Sequence, residues 1–290
     1  MHNKLAFLFL FIGFCDTIVA QSKSPVETNK SEPINIGRSV VIRSAILSEK
    51  RTINICLPAE YSNDSTSTYP VIYLLDGGID EDFIHIAGLV RYNNTPWVNR
   101  FPGSIVVGIE NTNRKRDFTF ATPDLDFLGK VGFDKNSFPS YGGSANFIAF
   151  IEKELQPFIQ HTLKTNGSRT IIGESLGGLL ATEILLSKPD LFDTYVIISP
   201  SLWWGAEKLL HTTIPTRSFS NSRKIYIAAS NEAEDTLMFS EAKRLATLLK
   251  RSALPGDKIV FDHMQHESHA TIIHQAVYNA FKKLYSTSDE

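Results

Sequence analysis

Hydrophobic and polar positions change rhythm several times along this chain of 290 residues. Ser39 to Leu47 and Thr52 to Leu57 alternate with a period of two, which predicts an antiparallel pair of strands. Val71 to Leu75 and Ile105 to Ile109 are instead unbroken apolar runs, as in strands buried on both faces. Thr170 to Ile172, Tyr195 to Ile198, Ile225 to Ala229 and Lys258 to Phe261 complete the set. Ala145 to Leu163, Leu176 to Ser187, Ser240 to Leu249 and Ala270 to Leu284 carry apolar residues at three- and four-residue spacing and predict helices. Two alternating strands followed by interleaved runs and helices imply a mainly parallel central sheet with antiparallel N-terminal strands and helices on both faces. The long connection Asn111 to Gly143, rich in Asn, Asp, Gly and Pro, is a candidate lid or pocket wall.

The first residues follow a different logic. Lys4 precedes an apolar stretch from Leu5 to Cys15, and Ile18-Val19-Ala20 precedes Gln21. This is the layout of a secretory signal peptide cleaved after Ala20. The stretch is short of the roughly 20 residues needed to span a bilayer. Polar residues 21–33 predict a disordered leader, and 34–287 a single domain. The expected address is therefore the periplasm or the exterior, with no membrane span in the mature chain. Loss of Cys15 with the signal would leave Cys56 alone, so no internal disulfide is expected. Twenty-nine basic residues against 31 acidic ones give no electrostatic argument for nucleic acid, and no such partner is expected.

Candidate chemistry begins at Gly173-Glu174-Ser175-Leu176-Gly177, a G-x-S-x-G motif between an apolar strand and a helix. A sharp turn there would lift the Ser175 hydroxyl above the sheet edge and aim backbone amides at developing negative charge. A serine nucleophile needs a base, and on this kind of turn an acid and then a histidine follow in chain order. His269 is the best placed histidine, between the last strand and the last helix. His263 and His266 share the expected turn, and composition does not choose between them. His274 is expected inside the helix, and His211 precedes the seventh strand. Three histidines at three-residue spacing do not form the zinc arrangement H-E-x-x-H, so no metal is expected. The acid is expected after Ile225 to Ala229, where Glu232, Glu234 and Asp235 lie; Glu232 comes first and is the choice. Leu176 and Gly77, the latter in Asp76-Gly77-Gly78, are the expected oxyanion-hole donors.

The segments YLLDGG, VVGIENTNRKRDFT, GESLGG, KPDLFDTYVIISPSLWW and ESHATI together resemble the esterase family that includes enterochelin-type siderophore esterases. S-formylglutathione hydrolase, feruloyl esterases and mycolyltransferases are relatives. The resemblance implies an α/β-hydrolase fold, Ser175 as nucleophile, His269 as base, and Gly77 and Leu176 as oxyanion donors. It implies an acyl-enzyme mechanism without a cofactor, on a small-molecule or glycan-linked ester such as a siderophore, feruloyl or acetyl ester. Arg114 and Arg116 are candidate contacts for a planar anion; alternatively Arg116 pairs with Asp117 and braces the loop. Trp203 and Trp204 are candidates for the pocket wall or the core. An acyltransferase and a non-catalytic siderophore or glycan binder are the competing functions.

Overall fold

The third, fourth, sixth and seventh strands and the second half of the fifth are buried on both faces, which is why their sequences are apolar runs rather than alternations. The computed structural model describes residues 31–63, 66–212 and 222–285. The expected signal segment, residues 1–20, and most of the expected leader lie outside the described residues. Ser31 to Asn35 carry no regular secondary structure. From Ile36 onward the described chain forms one body around an eight-stranded sheet.

The strands are β1 (Arg38–Ser44), β2 (Glu49–Cys56), β3 (Tyr69–Leu74), β4 (Ile105–Ile109), β5 (Thr165–Glu174), β6 (Thr194–Ile198), β7 (Lys224–Ala229) and β8 (Lys258–His263). Their spatial order is β1-β2-β4-β3-β5-β6-β7-β8. β1 pairs with β2, and β2 with β4, antiparallel; all other neighbours are parallel. This is the α/β-hydrolase arrangement.

One face of the sheet presents Tyr73, Ile171, Ile197 and Ile227 to helices α3 (Ser144–Phe150), α5 (Leu176–Ser187) and α6 (Thr236–Arg251). The alternate residues Leu74, Ile172, Ile198 and Ala228 face α1 (Phe83–Asn93) and α7 (Ile272–Tyr285). Each large aliphatic side chain so buried contributes about 1.5–3 kcal/mol. The helical stretch from Ser144 continues through a π turn at Ile151–Leu155 into α4 (Gln156–Thr162). Cys56 is a buried free cysteine.

Two features depart from the sequence reading. Helix α1 was not among the expected helices, although Phe83, Ile86, Ala87 and Val90 give it a buried stripe. The connection 111–143 is not a detached lid. It opens with the short helix α2 (Arg114–Asp117), and its Phe118, Phe120, Phe127 and Phe138 are buried in the core. Aromatic anchors of this size fix a segment that lacks periodicity.

Candidate active site

The C-terminal ends of the parallel strands share one edge of the sheet, the edge where open α/β sheets place their ligands. β5 ends there at Glu174, and Ser175 follows with φ 59° and ψ −118°. A non-glycine residue in such a conformation costs on the order of 1–3 kcal/mol and persists only when its surroundings impose it. Here the Ser175 N–H donates to the Ile198 carbonyl at 3.0 Å. The Ser175 carbonyl accepts from Leu179 N at 2.9 Å and Ser201 N at 3.0 Å. Glycine at 173 is required by space: a Cβ would stand 2.4 Å from the Gly177 carbonyl oxygen.

His269 lies between β8 and α7. Its Nε2 is 3.1 Å from Ser175 Oγ, in place to accept the hydroxyl proton. Burial lowers the His269 pKa, with the Arg114 charge acting in the same direction and Asp235 and Glu234 opposing it. The ring is thus held neutral at neutral pH, as a proton acceptor must be. The other histidines go elsewhere. His263 is the last residue of β8 rather than part of the turn, and packs 4.5 Å from the Phe239 ring. His266 is exposed beside Gln265. His211 lies on a 3-10 turn near Glu207. His274 is in α7, as expected.

The expected acid is not at the histidine. His269 Nδ1 is buried and has no hydrogen-bond partner among the described residues. Glu232 is exposed and lines a groove with Phe239, Lys243 and Arg244 of α6. The turn 230–235 closes on itself: Asn231 Oδ1 accepts from Ala233 N at 2.9 Å, which turns the Glu232 side chain outward to solvent. Asp235 caps α6, accepting from Met238 N at 3.0 Å, and reaches His269 only through its charge. What this turn supplies instead is Asn231, whose N–H donates to the Glu267 carbonyl at 2.9 Å and whose Nδ2 donates to the Gln265 carbonyl at 3.0 Å. Both bonds hold the loop that carries His269.

Two neighbours of Ser175 were not expected. Ser201 Oγ lies 3.3 Å from Ser175 Oγ. Glu174 Oε1 lies 3.4 Å from His269 Nε2 and is itself buried without a hydrogen bond. Burial pushes the Glu174 pKa up to about 8, with Asp76 and Asp82 adding to it against the Arg114 charge. The available signals were a charged residue inside the G-x-S-x-G motif and the serine of SPSLWW.

The expected oxyanion donors divide. Leu176 N–H stands at the first turn of α5, where helix N–H groups have no intrahelical partner. Gly77 N–H is spent: it donates to the Ile109 carbonyl at 3.0 Å, extending the pairing of β3 with β4. A Cβ at Gly77 would be 2.3 Å from Gly108 Cα, so this glycine serves close strand packing. Gly78 N–H donates to Glu81 Oε2 at 2.6 Å.

The arginines expected at the substrate are occupied by carboxylates. Arg114 donates to both oxygens of Asp76, at 2.6 and 2.9 Å, and to the Glu174 carbonyl at 3.2 Å. Arg116 donates to Asp117 at 2.7 Å and to Glu49 at 2.7 Å, and the buried Arg51 joins the same network through Asp117. The bracing alternative for Arg116 is therefore the observed one. Trp204 is fully buried and donates from Nε1 to the Phe120 carbonyl at 2.9 Å, so it is core. Trp203, also buried, stacks on Phe133 with ring centroids 5.2 Å apart. A concavity of about 700 Å³, lined by Cys56, Val90 and Val106 at the opposite edge of the sheet, includes none of these residues.

Comparisons with known proteins agree with the fold. The family described as "Putative esterase" matches residues 44–276. The chain is 29% identical over 247 residues to the ferri-bacillibactin esterase of Bacillus subtilis (strain 168), covering 81% of this chain and 85% of that one. It is 27% identical over 203 residues to the siderophore triacetylfusarinine C esterase of Aspergillus fumigatus, covering 66% and 63% respectively. The crystal structure of an IroE-like serine hydrolase from Shewanella oneidensis superposes with a TM-score of 0.75 at 29% identity, covering 86% of this chain and 80% of that one. The matched span, the strand order and the relatives agree: the chain belongs to this esterase family and is a hydrolase of ester bonds with the α/β-hydrolase fold.

Proposed function

We propose that this protein is an exported serine esterase that opens siderophore esters through an acyl-enzyme, with Ser175 as nucleophile and His269 as general base. The observation that carries the reading is the 3.1 Å approach of His269 Nε2 to a Ser175 hydroxyl on a strained turn. His269 accepts the Ser175 proton as Oγ attacks the ester carbonyl. The oxyanion forms against the Leu176 N–H and the positive end of α5. Collapse returns the His269 proton to the leaving alcohol, and water then releases the acid by the reverse route.

In this mechanism the imidazolium has no carboxylate on Nδ1. Asp235 and Glu234 stabilise it through space, and the bonds from Asn231 orient its loop. Siderophore esters are the favoured substrates because the two relatives described above are siderophore esterases by name. Export rests on the sequence layout of residues 1–20.

The test is hydrolysis of a nitrophenyl ester and of a ferric trilactone siderophore by residues 21–290, beside Ser175→Ala. Loss of the nucleophile of a serine hydrolase lowers turnover by about 10⁴ to 10⁶, and a drop of that order is the expected result for both substrates. A folded Ser175→Ala protein with wild-type turnover would end the assignment. Activity on the nitrophenyl ester but on no siderophore would leave the mechanism and remove the substrate.

A further inference from the structure

A second group of side chains stands at the same edge of the sheet, and none of its three members is assigned a step in that chemistry. Asp82 is the N-cap residue of α1, His85 lies one turn further along it, and His274 stands in the first turn of α7. An aspartate at an N-cap ordinarily accepts a hydrogen bond from the first-turn N–H groups. The Asp82 side chain makes no such bond. It points to His274 instead, with Oδ1 at 3.6 Å from Nε2. That same nitrogen is 2.9 Å from His85 Nδ1, and the two rings meet at 89°. The three atoms, two imidazole nitrogens and one carboxylate oxygen, all lie within 4.8 Å of one another.

We infer that Asp82, His85 and His274 form a binding site for a divalent transition-metal ion of the zinc class. A tetrahedral ion with bonds of about 2.0–2.1 Å holds its ligand atoms about 3.3 Å apart. Two of the three separations, 2.9 and 3.6 Å, bracket that value, and the third lies within 4.8 Å. Two imidazoles and one carboxylate suit zinc and its neighbours rather than magnesium or calcium, which take oxygen ligands. His85 is exposed, and Asp82 and His274 are half-buried, so solvent can reach the ion and complete its coordination.

The scaffold under the site is rigid. Phe83, Ile86 and Ala87 of α1 and Ile273, Ala276 and Val277 of α7 belong to one buried cluster. Charge favours a cation as well. The carboxylates of Asp76 and Glu81 stand nearby and add negative charge around Asp82. The consequence is mechanical: the ion ties α1 to the start of α7, three residues after His269. The site is independent of the proposed substrate and of the role given to Ser175.

The experiment is calorimetric titration of tag-free, chelator-treated protein with zinc chloride, with zinc counted after dialysis. The expected result is a one-to-one isotherm in the micromolar range, a Tm raised by roughly 5 °C near a hundredfold excess over Kd, and no heat with magnesium. His85→Ala, at an exposed position, and Asp82→Asn, which keeps the side-chain shape, should each weaken binding by at least about tenfold. His266→Ala, an exposed histidine elsewhere, should leave it unchanged. Absence of binding in the micromolar range, or binding that survives both His85→Ala and Asp82→Asn, overturns the site and reduces the cluster to a histidine pair sharing one proton.

Discussion

Two turns at one edge of the sheet use the same backbone device for opposite ends. After β5, Ser175 adopts φ 59°; after β3, Asp76 adopts φ 53°. Each follows a buried strand and precedes glycines. At the first turn polar groups are left open: among the described residues the Ser175 hydroxyl meets His269 and Ser201, and the Nδ1 of that histidine has no partner. In the second nearly everything is closed. Arg114 and Asn111 hold Asp76, Ile109 takes the Gly77 N–H, Glu81 takes the Gly78 N–H, and Asn54 donates to the Gly77 carbonyl. Open groups are what chemistry uses, and closed ones are what a brace needs. A glycine pair after an apolar strand announces the bend in both cases and says nothing of which kind it is.

The strongest way to break the contrast is Arg114→Ala. If Arg114 is a brace, its removal strips two hydrogen bonds from the buried carboxylate of Asp76 and leaves only Asn111 beside it. We expect a loss of about 2–3 kcal/mol in urea unfolding. Adding Asp76→Asn should restore roughly 1 kcal/mol of it, because no uncompensated charge then remains. A variant as stable as wild type, with KM raised only for anionic substrates, would return Arg114 to the substrate-facing role read from the sequence.

What was legible in the sequence was local. The apolar runs marked the six strands β3 to β8, and the G-x-S-x-G motif marked a strained turn that brings Ser175 to His269. Helix α5 begins at Leu176 and ends at Ser187, as its periodicity implied. What was not legible depends on register across the sheet. Whether Gly77 N–H is free is decided by the Ile109 carbonyl on β4. Whether Glu232 reaches His269 is decided by how the turn after β7 folds against the loop after β8. Chain order constrains neither. Glu174 was hidden differently: it was in plain view inside the motif, but only the close approach of His269 and Asp76 makes its burial chemically interesting.

Glu174 sharpens the comparison at a smaller scale, through pH. Its pKa is about 8 in the fold, against about 4.5 when unfolded. The folded protein therefore binds this proton more tightly than the unfolded chain. The stability it contributes is full below the unfolded value and is lost as pH rises through about 8. Glu174→Gln keeps the shape and never ionises. Thermal melts should show the variant gaining on wild type between about pH 4.5 and about pH 8, with the gap levelling off above that. A gap that stays constant across that range would mean that the carboxyl is already ionised in the folded protein and is held by partners of its own.

The smallest effect concerns the acid. Glu232→Ala should change kcat/KM by less than about twofold, because an exposed carboxylate is screened from the histidine by solvent. Asp235→Asn is the informative neighbour. Asparagine caps a helix about as well as aspartate, so α6 keeps its N-terminus while the charge is removed. That charge raises the His269 pKa, which burial lowers. The acid limb of the kcat/KM profile, lying below the usual imidazole value of about 6.5, should move to still lower pH in Asp235→Asn and stay in place in Glu232→Ala. A loss of about a thousandfold in Glu232→Ala would instead mean that the turn 230–235 refolds onto Nδ1 when substrate binds. The open nitrogen would then be a waiting position for a third catalytic residue, and the first turn would be closed during the reaction as the second is at rest.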